Sequence, residues 1–162
     1  MKLNILLLIL ICPVIGARAQ SAEAEIKQVI TQLFKGMELG DSAMVHRSLD
    51  DHTTMVSVVP AKNGEVILQR ESSPEAFLKA VGTPHKGTWY EEFWNFKVQQ
   101  DGGFATAWCD YAFYLDNTFS HCGVDAFHLY KGKDGWKVFH LADTRRKDGC
   151  DIPPDIRKKH TP

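Results

Sequence analysis

The feature that most constrains this chain is a pair of long apolar runs near its C-terminus. Residues 119–127, Phe-Ser-His-Cys-Gly-Val-Asp-Ala-Phe, lead toward a Gly132-Lys133-Asp134-Gly135 turn, and residues 136–146 return from it. Aromatic and β-branched runs flanking a glycine-rich turn read as a β-hairpin. The hairpin carries His121, Asp125, Asp143 and Arg145 to one end of a sheet, with Cys122 and Cys150 near its open end.

Side chains alternate between the two faces of a strand, so parity assigns them to faces. Phe127, Leu129, Phe139 and Leu141 form the more continuous apolar row, and Cys109, Tyr111 and Phe113 extend it on the preceding run. This odd-numbered set is expected to face inward. His121, Gly123, Asp125, Asp143 and Arg145 share its parity and are expected on the inner face, at the wide end of the core. His128 and His140 fall on the outer face. A register centred near Asp134 sets Asp125 opposite Asp143. Opposed carboxylates repel unless a cation, a shared proton or a ligand intervenes; Arg145 and His121 are the candidate cations.

Upstream, helices come first. Ile26, Val29, Ile30, Leu33, Phe34 and Met37 recur at three- and four-residue steps, the stripe of one amphipathic helix. Gly40 ends it, and Asp41 caps a shorter helix carrying Met44, Val45 and Leu49. Residues 54–59 read as a strand, Asn63-Gly64 as a turn and 65–69 as the returning strand. Ser73-Pro74 opens a third helix. Residues 90–99 follow as a strand with Tyr90, Trp94, Phe96 and Val98 on one face, then 104–115, then the hairpin. Helices followed by about four consecutive antiparallel strands give an α+β domain with the helices on one face.

Residues 1–19 read as a signal peptide: Lys2, an apolar stretch over residues 3–11, and a small-x-small Ala17-Arg18-Ala19 site. That stretch is shorter than the about 20 residues a bilayer span needs. A lipid attached at Cys12 is the alternative, disfavoured by the bulky Ile11 before it. Residues 20–150 then make one domain. Residues 151–162, with Pro153-Pro154 and Arg157-Lys158-Lys159-His160, read as a basic, solvated tail. A net charge of −1 provides no basic field for nucleic acid. An exported chain, periplasmic or secreted, favours disulfides. Cys122 and Cys150 are the expected pair, closing a loop of about 28 residues, and Cys109 is expected as a buried thiol. No CxxC spacing suggests a redox motif or a zinc ribbon.

Two helices joined at Gly40-Asp41, a short strand pair, a third helix and an antiparallel meander together resemble the nuclear transport factor 2-like fold, also called cystatin-like. The closing Trp136-Lys137-Val138 strand and its Asp143-Thr144-Arg145-Arg146 end look like small secreted bacterial members of its SnoaL-like and lumazine-binding-like branch. The resemblance covers roughly residues 22–150. It implies a cone of curved, mostly antiparallel sheet and helices around one pocket, and a homodimer packed through the sheets. It does not imply one activity, because the fold hosts enzymes, binding proteins and scaffolds.

Three functions fit these residues. In the first, a pocket binds a small, aromatic or anionic molecule, with Arg145 holding the anion and Tyr90, Trp94, Tyr111, Phe127 and His52 around it. In the second, a cofactor-free acid–base enzyme of the isomerase, dehydratase or cyclase type uses Asp125 or Asp143 with His121. The third is a dimeric interaction module with a vestigial pocket. Asp143 and Arg145 also read as an ion pair closing the sheet end. A metal held by His52, His121, Asp125 and Asp143 lacks any compact ligand motif, so neither metal nor cofactor is expected. No GxSxG elbow or Gly-rich phosphate loop is present.

Overall fold

A computed structural model describes residues 21–71 and 73–161. The expected signal peptide, its cleavage site and Cys12 lie outside the described residues. Helix α1 spans Ala22–Leu39. Ser21 caps it, accepting from the Ala24 amide at 3.3 Å, and Gly40 ends it with a left-handed φ of 65°. Its buried stripe is Ile26, Ile30, Leu33, Phe34 and Met37, as the spacing predicts. Helix α2, Ser42–Ser48, is capped by the Asp41 carboxylate, which accepts from the Met44 amide at 2.8 Å. Leu49, expected in that helix, instead opens strand β1, Leu49–Pro60. There it is buried and registers with Val138, so long-range pairing prevails over helical spacing.

Strand β2 spans Val66–Arg70, and helix α3 spans Pro74–Gly82 behind its Ser73 cap. The meander follows: β3 Trp89–Asp101, β4 Phe104–Leu115, β5 Thr118–Gly132 and β6 Gly135–Thr144. These six strands form one sheet in the order β2-β1-β6-β5-β4-β3. The architecture is the expected α+β one. All neighbours are antiparallel except β1 and β6, which run parallel. That pairing sets Ser57 beside Asp143.

The inner face carries the core. Phe34 of α1 packs against Phe93 of β3 and Phe127 of β5, with ring centroids 5.5 and 6.2 Å away. Leu33, Phe127, Leu129 and Val138 are fully enclosed around it, each such burial stabilising by about 1.5–3 kcal/mol.

Two bulges revise the parity assignment. Pairing of β5 with β6 shifts between His128 and Leu129, so Leu129 faces Val138. Trp136 and Val138 therefore point inward on that half of β6. Phe139, expected inward, packs on the outer face with Phe104, His128 and Tyr130. Beyond the bulge Leu141 and Asp143 keep the expected face, and Asp125 pairs with Asp143 as expected, but through the bulge: the Gly132–Gly135 turn pairing alone would set it opposite Ala142. The second bulge lies between Trp94 and Lys97 on β3, where Asn95 adopts a φ of 51°. One extra residue reverses every side chain beyond it. Phe96 and Val98 join the core, whereas Tyr90 and Trp94 lie on the opposite face.

The C-terminal segment is also not a solvated tail. Residues Pro154–Lys159 form helix α4. Ile152 and Ile156 bury against Ala112, Tyr114 and Cys122 on the outer face. His160 stacks on Tyr114 at 4.0 Å, its Nε2 3.2 Å from Glu92 Oε1. The Cys122–Cys150 disulfide, with Cα atoms 6.0 Å apart, ties this segment to β5, and Cys109 is a buried free thiol. Two isoleucines among prolines and basic residues give little periodic signal; the surface that buries them lies elsewhere in the sequence.

Candidate functional site

Between α1, α3 and the concave face of the sheet lies a cavity of about 540 Å³. Its apolar walls include Phe34, Met37, Phe77, Trp89 and Phe113, and its polar groups include Ser57, Glu91, Tyr111, His121, Asp125, Asp143 and Arg145. All but Arg145, which lies just beyond β6, come from strand positions that alternation turns inward, on β1, β3, β4, β5 and β6.

Asp143 is well supplied with donors. Arg145 Nε donates to its Oδ2 at 2.7 Å, and the Ser57 hydroxyl donates to Oδ1. The Tyr111 hydroxyl lies 3.2 Å from Oδ2 and donates to the Thr144 carbonyl at 2.9 Å. Gly123 makes this junction feasible. A Cβ there would stand 1.7 Å from the Thr144 carbonyl oxygen and 2.8 Å from the Tyr111 ring. The glycine thus permits a close approach of β5 to β6, rather than adding open room.

Asp125 has no such supply. It is 2% exposed, and no N–H or O–H donor among the described residues reaches its Oδ2. Its side chain is within hydrogen-bonding reach of the Glu91 carboxyl. Burial holds the Asp125 carboxyl well above the ordinary range, and the negative charges of Glu91 and Asp143 add to the effect. Burial also pushes Glu91 up to about 7, with Asp143 adding to the rise and the Asp125 hydrogen bond and Arg145 opposing it. Two carboxyls within reach of each other, both raised, share a proton and titrate as a pair.

His121 lines the cavity beside the rings of Tyr111 and Phe113, 5.7 and 5.2 Å away. Burial, then the nearby Arg145 charge, lowers it to about 4, so it is a neutral imidazole at pH 7. Burial and the surrounding carboxylates push the Tyr111 phenol up.

Of the residues singled out from sequence, Asp125, Asp143, Arg145, His121 and Tyr111 line this cavity. Phe127 lies beneath its wall in the core. Tyr90 and Trp94 do not line it, because the β3 bulge places them on the α4 side of the sheet. His52 is exposed on β1, its amide donating to Asp50 Oδ1. Glu91 and Ser57 were missed. Trp89, Glu91 and Phe93 share one parity on β3, so the bulge at Asn95 was the hidden signal; Ser57 needed the parallel β1–β6 pairing. Among the described residues no three His, Cys, Asp or Glu side chains converge as metal ligands, and no helix is long and apolar enough to cross a membrane.

No family model matches the sequence, and no curated protein does. Solved structures do match. A nuclear transport factor 2-like protein of unknown function from Pseudomonas putida aligns with a TM-score of 0.60 at 18% identity, covering 82% of this chain and 96% of the other. A nuclear transport factor 2-like superfamily protein from Salmonella enterica aligns with 0.61 at 14%, over 82% and 96%. The chain has the nuclear transport factor 2-like fold. A further nuclear transport factor 2-like protein, from Novosphingobium aromaticivorans and described as cystatin-like in fold, aligns with 0.60 at 14% identity over 85% and 87%. In this chain α1 and α3 cover one part of the curved sheet and leave the cavity over the rest.

Proposed function

We propose that this chain is an exported pocket protein that takes a small, ring-bearing molecule into the cavity between its helices and sheet. The observation that carries the reading is a cavity of about 540 Å³ with aromatic walls and its polar groups gathered on the strands. Ligand sites combine these features: apolar area for affinity and a few convergent polar groups for orientation. Export is supported by the tripartite sequence at residues 1–19 and by the Cys122–Cys150 disulfide. Native mass spectrometry of protein recovered from its own cell envelope tests the reading. The expected result is a retained small-molecule adduct that is lost on unfolding; protein that is uniformly free of adduct, in every preparation, refutes it.

Acid–base catalysis is the second reading, favoured by one observation. Glu91 is pushed up to about 7 beside Asp125, whose carboxyl is also raised, and such a carboxyl can both accept and return a proton at neutral pH. The retained molecule, incubated with the protein in deuterated water, is expected to gain deuterium at carbon with the native protein and not with Glu91→Gln. No incorporation by the native protein leaves binding alone.

A further inference from the structure

The charges around the cavity are unequally served. Arg145, whose charge acts on both Glu91 and Asp125, is paired with Asp143 through the 2.7 Å contact. Asp143 in turn has Ser57 and Tyr111 as further partners. Lys86 also lines the cavity, but among the described residues Arg145 is the one cation whose charge acts on the Glu91–Asp125 pair. Asp125 is among the residues lining the cavity, is 2% exposed, and has no donor on its Oδ2 among the described residues. A buried acceptor left without a donor is unfavourable, and a ligand bearing N–H groups would relieve it.

The surroundings select the kind of donor. Glu91 pairs across β3 and β4 with Phe113, and the Trp89 ring lies edge-on to Phe113 at 6.1 Å. Ring faces attract cations, and carboxylates bind charged N–H donors more strongly than neutral ones. His121, being neutral at pH 7, adds no competing positive charge. No three ligands converge for a bare metal ion among the described residues, so the matching cation is an organic one.

We propose that the occupant of this cavity is an organic cation: a protonated amine or amidine on a planar apolar body, with its N–H groups on Asp125 and Glu91 and its body against Trp89 and Phe113. This rests on the reading of the cavity as a binding site. It reverses the polarity that Arg145 suggests from sequence, because Arg145 already has its carboxylate.

Three probes share an indole body and differ in charge: tryptamine is cationic, tryptophol neutral and indole-3-acetate anionic. Their affinities for the full mature chain would be measured by calorimetry near neutral pH and at fixed ionic strength. Tryptamine is expected to bind about tenfold or more tightly than tryptophol, with indole-3-acetate weakest. Glu91→Gln, which removes the ionisable acid, and Asp125→Ala, which removes the acceptor, are each expected to bring the tryptamine-to-tryptophol ratio toward one. Near-UV circular dichroism checks that each variant is folded, and either variant alone suffices. Tryptophol or indole-3-acetate binding as well as tryptamine overturns the cation inference and leaves the pocket reading standing. A tryptamine preference untouched by both substitutions overturns it as well, by placing the amine elsewhere. Binding of none of the three at millimolar concentration overturns the inference together with the pocket reading.

Discussion

Glu91→Gln should make the protein more stable, and only above a definite pH. The Glu91 carboxyl titrates at about 7 in the native chain, against an ordinary value of 4.5. Between these values the native state holds a proton that the unfolded chain has released, so stability falls as pH rises through the window. At about 1.4 kcal/mol per pH unit, the loss is about 3 kcal/mol once Glu91 is ionised. This is a ceiling, because Glu91 lines an open cavity. Asp125 acts in the same direction, its carboxyl also being raised. His121 acts in the other. It is lowered from 6.5 to about 4, so its contribution to native stability grows as pH rises from about 4 to about 6.5. Comparing Glu91→Gln with the parent chain cancels the His121 contribution. The glutamine amide has the shape of the protonated acid and can still accept from Asp125. The two proteins are therefore expected to match near pH 4.5, and the variant to gain up to about 3 kcal/mol by pH 8. Urea unfolding at several pH values, with the disulfide intact, gives both curves. A stability difference independent of pH would refute the reasoning, since Glu91 would then titrate as an ordinary surface carboxyl.

Replacing both Cys122 and Cys150 by serine should cost about 3 kcal/mol in urea unfolding and expose the Arg157–Lys158 bond to trypsin; unchanged cleavage would mean that α4 docks without the disulfide. Gly123→Ala should cost about 3 kcal/mol, since its Cβ would meet the Thr144 carbonyl oxygen at 1.7 Å. Gly103→Ala, where the nearest atom is 3.9 Å away, should cost within about 0.5 kcal/mol; equal melting temperatures for the two variants would contradict the close approach of β5 to β6. Protein recovered from the cell envelope should begin at Gln20 by intact-mass measurement, and a species retaining Met1 or lipidated at Cys12 would contradict this.

Local chemistry made much of this protein legible in its sequence. Ser21 is the exception among the three helix caps, because Asp41 and Ser73 announce α2 and α3 directly, and Gly40 closes α1. The α1 stripe and the meander are set by period and by turn position, both of which operate over a few residues. The disulfide followed from two cysteines at the hairpin's open end. Tertiary structure decided the rest. A bulge is one residue long and leaves the composition unchanged, yet it exchanges faces. The bulges at Asn95 and Phe139 brought Glu91 into the cavity and sent Tyr90, Trp94 and Phe139 out of it or away from the core. The parallel β1–β6 contact brought Ser57 to Asp143 across 86 residues of sequence. The state of the site depends on that assembly. Asp125 and Glu91 are ordinary acids in the chain; they share a proton only because folding removes them from water, places them within reach of each other and leaves Arg145 occupied by Asp143.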